Sequence, residues 1–96
     1  MRATIKEAIE KMQLIEFYYD GGRRTVEPHC FGQSSKGNDV IRAFQVSGYS
    51  SSGKMGWKLY DISKATSLSV SDEKFDKPRP GYKRGDSAMS IIYAQL

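Results

Sequence analysis

The chain has very little of the chemistry that builds disulfides and metal sites. Its 96 residues include one cysteine, Cys30, and one histidine, His29. A single cysteine excludes an internal disulfide framework, and one histidine with one cysteine cannot supply the ligands of a structural zinc site. On a regular strand these two neighbours point to opposite faces, so a Cys-His dyad is not expected either. We therefore expect no cofactor and no bound metal.

Long apolar runs and catalytic motifs are also absent. No run approaches the roughly 18 apolar residues of a membrane-spanning helix. Charged residues break up the N-terminal segment MRATIKEAIEKM, which is therefore unlike a signal peptide. The sequence contains no G-x-S-x-G, no P-loop and no G-x-G-x-x-G. These absences predict a cytoplasmic protein with no membrane partner and no enzymatic activity.

Composition and charge point to one folded domain with a preference for anions. The length suits a single domain over residues 1–96, and 39% hydrophobic with 27% charged residues is typical of a globular protein. Lys and Arg number 15 against 11 Asp and Glu, a net charge of +4. That surplus favours nucleic acid, nucleotides or an acidic protein as partners. It is equally compatible with a surface that is basic for solubility alone.

The N-terminal pattern changes from a helical to a strand period. Thr4 and Glu7 fit a capping box, and Ile5, Ala8 and Ile9 recur at helical spacing, so we predict a helix over 4–12. The following segment, 15–19, alternates apolar and polar residues as a strand does.

A hairpin is predicted next. If Gly21 and Gly22 form its turn, Phe17 lies opposite Val26, and Ile15 shares their apolar face. The same register places Glu16 against Glu27, a repulsive pair. We expect Arg42 or Lys58 to relieve it.

The stretch RRTVEPHCFG, residues 23–32, is predicted to end this strand. Pro28 lacks an amide hydrogen and suits a strand end or edge. Val26 is then a core residue, whereas Glu27 and His29 lie on the opposite face. Further strands are predicted at 40–46, 57–62 and 65–70, with loops at 32–39 and 48–56. The domain is thus a helix plus barrel over 1–70, followed by a Pro- and Gly-containing tail over 71–96 with a short helix at 88–95.

Two groups of residues are candidates for binding. A ligand groove is predicted from charged and aromatic side chains on the strands: Arg24, Glu27, His29, Arg42, Trp57, Lys58 and Tyr60. Arg42 interrupts an apolar strand, which suits either an anion-binding group or a stem that covers the core. In the tail, a basic cluster with an aromatic inside it could grip phosphates, or be a solvated loop: Arg79, Tyr82, Lys83 and Arg84.

The order of these motifs resembles a WYL domain. The matching elements, over roughly 5–70, are a helix with I-x-x-A-I, a strand I-x-F-x-Y, a glycine turn, V-E-P at 26–28 and an aromatic-x-Leu-x-x-Ile strand from Trp57 to Ile62. Asp39-Val40-Ile41 stands where the family's Trp-Tyr-Leu falls, and Asp61 stands where the family usually has an arginine. The resemblance implies a mainly β fold with short flanking helices (α+β), namely a strongly bent, five-stranded, Sm-like β-barrel. It also implies a non-enzymatic regulatory role in transcription or phage defence, through nucleic acid or other anionic ligands.

The sequence is therefore compatible with three functions. The first is a WYL-type regulatory module that binds a ligand or nucleic acid. The second is a protein-interaction or self-assembly module, because small barrels expose strand edges that can accept a partner's strand. The third, a residual one, is an enzyme that uses Glu27 and His29.

Overall fold

The fold is an open antiparallel β-sheet with one helix packed against it. The computed structural model describes residues 1–96. Its elements in chain order are α1 (Arg2–Glu10), β1 (Gln13–Tyr19), β2 (Gly22–Gln33), β3 (Asp39–Gly48), β4 (Gly56–Asp61), a 3-10 turn (Ile62–Lys64), β5 (Thr66–Lys74) and β6 (Ile91–Gln95). The strand order is β4-β3-β2-β1-β5, and β6 pairs with β2. Since the end strands β4 and β5 do not pair, the sheet is open, and the closed five-stranded barrel expected from the sequence is not observed.

The first hairpin has the predicted faces but a different register. Asp20 and Gly21 form the turn with φ values of +40° and +98°, which fits the two-residue type I′ turn that Asp-Gly favours. Ile15 therefore lies opposite Val26 and Phe17 opposite Arg24. The predicted register, with Gly21 and Gly22 in the turn, was wrong by two residues. A shift of two keeps every side chain on its face, so the shared core of Ile15, Phe17 and Val26 is confirmed.

The repulsive pair predicted for this hairpin does not form. Glu16 lies opposite Thr25, not opposite Glu27. Neither Arg42 nor Lys58 is therefore needed to relieve it, and both bind elsewhere: Arg42 pairs with Asp86 and Lys58 contacts serine hydroxyls of the β3–β4 loop.

Strand β2 does not end at Pro28, contrary to the prediction. It continues to Gln33 and pairs with β3 from Arg24 to Gln33. On its other edge it pairs with β1 as far as Val26 and with β6 from Cys30 onward. Pro28, which has no N–H to donate, lies at this change of partner. The β2–β3 register shifts between Pro28 and Cys30, a bulge that makes His29 the extra residue.

The sheet is bent enough for its distant strands to pack together inside. The Phe17 and Tyr19 rings of β1 each lie 5.0 Å from the Tyr60 ring of β4 in edge-on contact. The main-chain amide of Asp61 donates to the Tyr19 hydroxyl at 3.2 Å. These contacts join β1 to a strand that is three positions away in the sheet. The resulting core also receives Ile5, Ala8 and Ile9 from the helix.

The helix begins earlier than predicted and lacks the capping box. It spans Arg2–Glu10, and no side chain caps its N-terminus, because Thr4 lies inside the first turn and not before it. Its buried residues, Ile5, Ala8 and Ile9, are the predicted apolar face. At nine residues, it falls well short of what crossing a bilayer would need.

The C-terminal helix predicted at 88–95 is wrong. Residues 91–95 form the strand β6, which pairs with the second half of β2. The predicted strand at 65–70 is instead the longer β5, which reaches Lys74.

Gly32 permits this docking of β6. A Cβ placed on Gly32 would lie 2.2 Å from the main-chain oxygen of Ile91 and 3.1 Å from Cα of Ile92. We expect Gly32→Ala to lower the free energy of unfolding by about 1–3 kcal/mol and to remove hydrogen-exchange protection from the β6 amides. Gly37→Ala, where an added Cβ meets nothing within 4 Å, should cost only the strain of its positive φ and leave β6 protected. Unchanged β6 protection in Gly32→Ala would contradict this account.

Candidate functional site

The outer face of β2 is covered by the segment between β5 and β6, residues 75–90, which we call the strap. Its strongest attachment is Arg79. The Arg79 guanidinium binds both carboxylate oxygens of Glu27, at 2.7 and 3.0 Å, and lies 4.5 Å from the Phe44 ring centroid. The Glu27 side chain is 7% exposed and the Arg79 side chain 41%. The hydrogen bond to Glu27 raises the pKa of Arg79.

His29 is the second attachment point of the strap. Its Nδ1 lies 2.8 Å from the main-chain oxygen of Glu27 and must therefore donate to it. Its Nε2 accepts the main-chain N–H of Arg79 at 3.0 Å. These two contacts fix the neutral tautomer that carries its proton on Nδ1. Burial lowers the pKa of His29, and the positive charge of nearby Arg79 lowers it further.

Aromatic rings surround His29 and extend the strap contact to β4. The His29 ring lies 4.7 Å from Trp57, 5.4 Å from Phe75 and 5.1 Å from Tyr82. The Trp57 indole N–H donates to the main-chain oxygen of Pro80 at 3.0 Å. The Tyr82 hydroxyl lies 3.3 Å from the main-chain oxygen of His29 and 3.2 Å from that of Leu96, and its one hydrogen is shared between these acceptors. The predicted groove residues Glu27, His29 and Trp57 are thus brought together, but under the strap.

Next to these rings, the strap and the sheet line a cleft that is open to solvent. Its volume is about 390 Å³. Two walls come from the sheet, Arg42 and Trp57, and the remainder comes from the strap: Gly81, Tyr82, Lys83, Arg84, Gly85, Asp86 and Ser87. The Trp57 and Tyr82 rings are near-parallel, at 23° with centroids 6.1 Å apart. The cleft therefore combines flat aromatic surface with basic side chains.

The charges of this cleft are unevenly neutralised. Arg42 binds both oxygens of Asp86, at 2.7 and 3.3 Å, and this contact lowers the pKa of Asp86 despite its partial burial. Arg84 donates to the oxygen of Leu96, the last residue of the sequence, at 2.8 Å and has no side-chain carboxylate partner. Lys83 is exposed and makes no hydrogen bond or ion pair with the rest of the chain. Lys83 is therefore the cation of the cleft that has no partner within the chain.

Three predicted groove residues lie on the other side of the sheet. Arg24 is 4% exposed, and its guanidinium lies 5.3 to 5.8 Å from the ring centroids of Tyr19, Tyr49 and Tyr60. Tyr60 is buried and donates to the Gln45 side chain. Lys58 contacts Ser50 and Ser52. Arg24, Lys58 and Tyr60 are therefore not brought to the cleft, because the alternation of β2 and β4 turns them away from His29 and Trp57.

Cys30 and His29 do not form a dyad, although the bulge turns both toward the strap. The Cys30 thiol lies 3.4 Å from the Met89 sulfur and packs in a small buried cluster with Val40 and Met89. Burial raises the pKa of this thiol. Its surroundings are those of a structural cysteine.

Sequence reasoning missed two residues that complete the site, Asp86 and Phe75. Asp86 neutralises Arg42 across 44 positions of the chain, and Phe75 stacks on His29. No local pattern marks either contact, because each depends on how the strap crosses the sheet. The flanking Pro78 and Pro80 are the one available signal, since they favour extended backbone around Arg79.

Comparison with known proteins finds no family model, no curated protein and no solved structure that matches this chain. The resemblance to WYL domains therefore stays a prediction from the sequence.

Proposed function

We propose that the chain is a non-enzymatic module that binds nucleic acid or a smaller anionic ligand in the cleft between Trp57 and the strap. The observation that carries this proposal is the meeting of two separately predicted groups in one place. Arg42 and Trp57 come from the sheet, whereas Tyr82, Lys83 and Arg84 come from the strap. Flat rings beside basic side chains suit a base or other planar group attached to a phosphate.

The surroundings of Glu27 and His29 support the non-enzymatic part of the proposal. Both oxygens of Glu27 are bound by Arg79, and both ring nitrogens of His29 are bound within the protein. A general acid or base needs hydrogen-bond access to its substrate. Neither group offers it in this arrangement, so we propose a structural role for both.

We keep the WYL relationship and its finer fold description as part of the proposal. The bent sheet, in which β1 packs on β4, supports an Sm-like arrangement with unpaired end strands. The proposal also includes a regulatory role in transcription or phage defence, which the resemblance implies, and a cytoplasmic location.

Fluorescence of Trp57 tests binding, because it is the one tryptophan of the chain. We expect short single-stranded oligonucleotides, or nucleotides, to change the emission at low salt, and added salt to weaken binding. No emission change together with no mobility shift at low salt would refute the proposal.

A matched pair of charge reversals locates the site. Lys83→Glu and Lys36→Glu alter exposed lysines and change the net charge equally, but only Lys83 lines the cleft. We expect Lys83→Glu to weaken oligonucleotide binding about tenfold at low salt and to reduce the slope of log K against log salt by about 0.7 or more. Lys36→Glu should have a much smaller effect. Equal losses in the two variants would mean that binding is diffuse and not centred on the cleft.

Self-assembly through a strand edge is the second candidate. Strand β5 pairs only with β1 and leaves its other edge open over Thr66–Lys74, and Val70 on it is 37% exposed. Such an edge can accept a strand from another molecule. Light scattering at micromolar concentration discriminates, because a discrete oligomer favours assembly and a monomer disfavours it.

A further inference from the structure

His29 holds the strap through a bond that only its neutral form can make. The Nε2 atom must accept the N–H of Arg79, and a protonated ring has no acceptor there. Protonation would place an N–H of the ring against an N–H of the backbone. Arg79 lies between Pro78 and Pro80, neither of which has an amide hydrogen. The bond to His29 therefore uses the one main-chain donor of this three-residue stretch.

The groups facing His29 come from three elements. From β2 there are the Glu27 carboxylate, already bound by Arg79, and the Cys30 thiol, which packs on Met89. From the strap there are Arg79, Tyr82 and the uncharged Phe75, and from β4 the uncharged Trp57. The Glu27 carboxylate favours a charged imidazole, but it is already bound by Arg79, whose own charge opposes protonation. No second side-chain carboxylate contacts the ring. Protonated His29 is thus both desolvated and deprived of its acceptor contact.

We propose that His29 holds the strap in a pH-dependent manner. Protonation of His29 releases the strap from the outer face of β2 and so removes the strap's side of the cleft. The geometry carries the coupling, because Tyr82 and residues 83–87 reach the cleft only as parts of this strap. Trp57 would lose its acceptor at Pro80 in the same step.

The sign of the pH dependence follows from linkage. Burial lowers the pKa of His29 in the fastened state from its ordinary 6.5, so the released state takes up the proton more readily. The contribution of His29 to closure is complete above about pH 6.5 and is lost as the pH falls toward the lowered pKa. In that window the opening constant of the strap should rise by up to about tenfold per pH unit. Asp86 also holds the strap to the sheet, and its pKa is below its ordinary 3.8, so Asp86 titrates below this window.

NMR on the ligand-free chain tests the proposal, because His29 is the one histidine and its ring signals are unambiguous. Between pH 7.5 and 5.0 we expect the protection factors of the Arg79 amide and the Trp57 indole N–H to fall as His29 titrates. Amides of the β1–β2 hairpin should stay protected. Titration of His29 with no change in Arg79 or Trp57 would overturn the proposal, and that result needs no variant.

His29→Gln is the matched variant. Its side-chain amide can accept the Arg79 N–H but does not titrate in this range, so the pH dependence of strap opening should disappear. If the variant opens on acidification as the native chain does, another group is responsible and the proposal fails.

A consequence for binding rests on the proposed function. Oligonucleotide affinity should fall between pH 7.5 and 5.5 in the native chain and stay nearly constant in His29→Gln. This direction is opposite to that of a histidine that contacts phosphate directly. If the strap is released on acidification but no oligonucleotide binds at any pH, only the proposed function is refuted. If oligonucleotides bind but the strap is not released on acidification, only the role of His29 is refuted.

Discussion

Phe17→Ala should lower the free energy of unfolding by about 3–5 kcal/mol, the range typical of a fully buried phenylalanine. Phe17 has no exposed surface and packs edge-on against the Tyr60 ring at 5.0 Å and the Tyr19 ring at 6.0 Å. Its removal leaves a cavity where β1 meets β4. A small domain has only about 5–15 kcal/mol of stability in total, so much of the fold's margin would be lost. Urea denaturation followed by circular dichroism measures the change.

Tyr18 provides the control for this prediction. It neighbours Phe17 on the same strand, but it is 46% exposed on the opposite face. We expect Tyr18→Ala to change the free energy of unfolding by about 0.5 kcal/mol or less. Comparable losses in the two variants would mean that alternation along β1 does not separate an inner from an outer face.

Arg79→Met should cost about 2 kcal/mol. Removing one partner of a buried ion pair costs roughly 3–5 kcal/mol, because the other charge is left buried and unpaired. We expect less here because the Arg79 side chain is 41% exposed, so water can partly replace it beside Glu27. The strap should also lose hydrogen-exchange protection. Chemical denaturation and exchange measurements together report both effects.

Two comparisons isolate the ion pair from the lost side-chain volume. Arg2→Met removes a cation with similar geometry, since Arg2 binds both oxygens of Asp39 at 2.7 and 3.1 Å. That pair is more exposed, at 58% and 21%, so the loss should be much smaller than for Arg79→Met. The double variant Glu27→Gln with Arg79→Met should be more stable than Arg79→Met alone, because a neutral amide needs no counter-ion. A double variant that is less stable would show that burial of the charge is not the dominant cost.

Alternation allowed the faces of the first hairpin to be predicted, but not its exact pairing. Both Asp20-Gly21 and Gly21-Gly22 are good turn pairs, and the structure uses the first. The two registers differ by two residues, so Ile15, Phe17 and Val26 share a core in either case. Only the cross-strand neighbours change, and this is why the expected contact of Glu16 with Glu27 was wrong.

The C-terminal error has a different physical origin. Met89, Ile92, Tyr93 and Leu96 fit a helical spacing, yet the β-branched pair Ile91-Ile92 also suits a strand. Residues 91–95 form a strand because the edge of β2 at residues 30–33 is free to pair with them. That edge lies some 60 positions away in the chain. Local patterns carry no information about such an edge, particularly when Pro28 suggests that the strand has already ended.

The candidate site was predictable in its residue types but not in its grouping. Arg42, Trp57, Tyr82, Lys83 and Arg84 were each singled out, in two separate groups, because basic and aromatic side chains suit anionic ligands. Their meeting depends on the course of the strap. The same course brings Arg79 next to Glu27. Arg79, which was predicted to contact phosphate, therefore forms an ion pair with Glu27 that holds the strap.

Chemical-shift mapping would show whether an anionic ligand binds in the cleft between Trp57 and the strap. Amide and indole spectra would be recorded while a short single-stranded oligonucleotide is added at low salt and pH 7.5. We expect the largest perturbations on the Trp57 indole N–H and on residues 81–87, with little change along β5. Perturbations that are absent from these positions, or that centre on the open edge of β5, would contradict binding in the cleft.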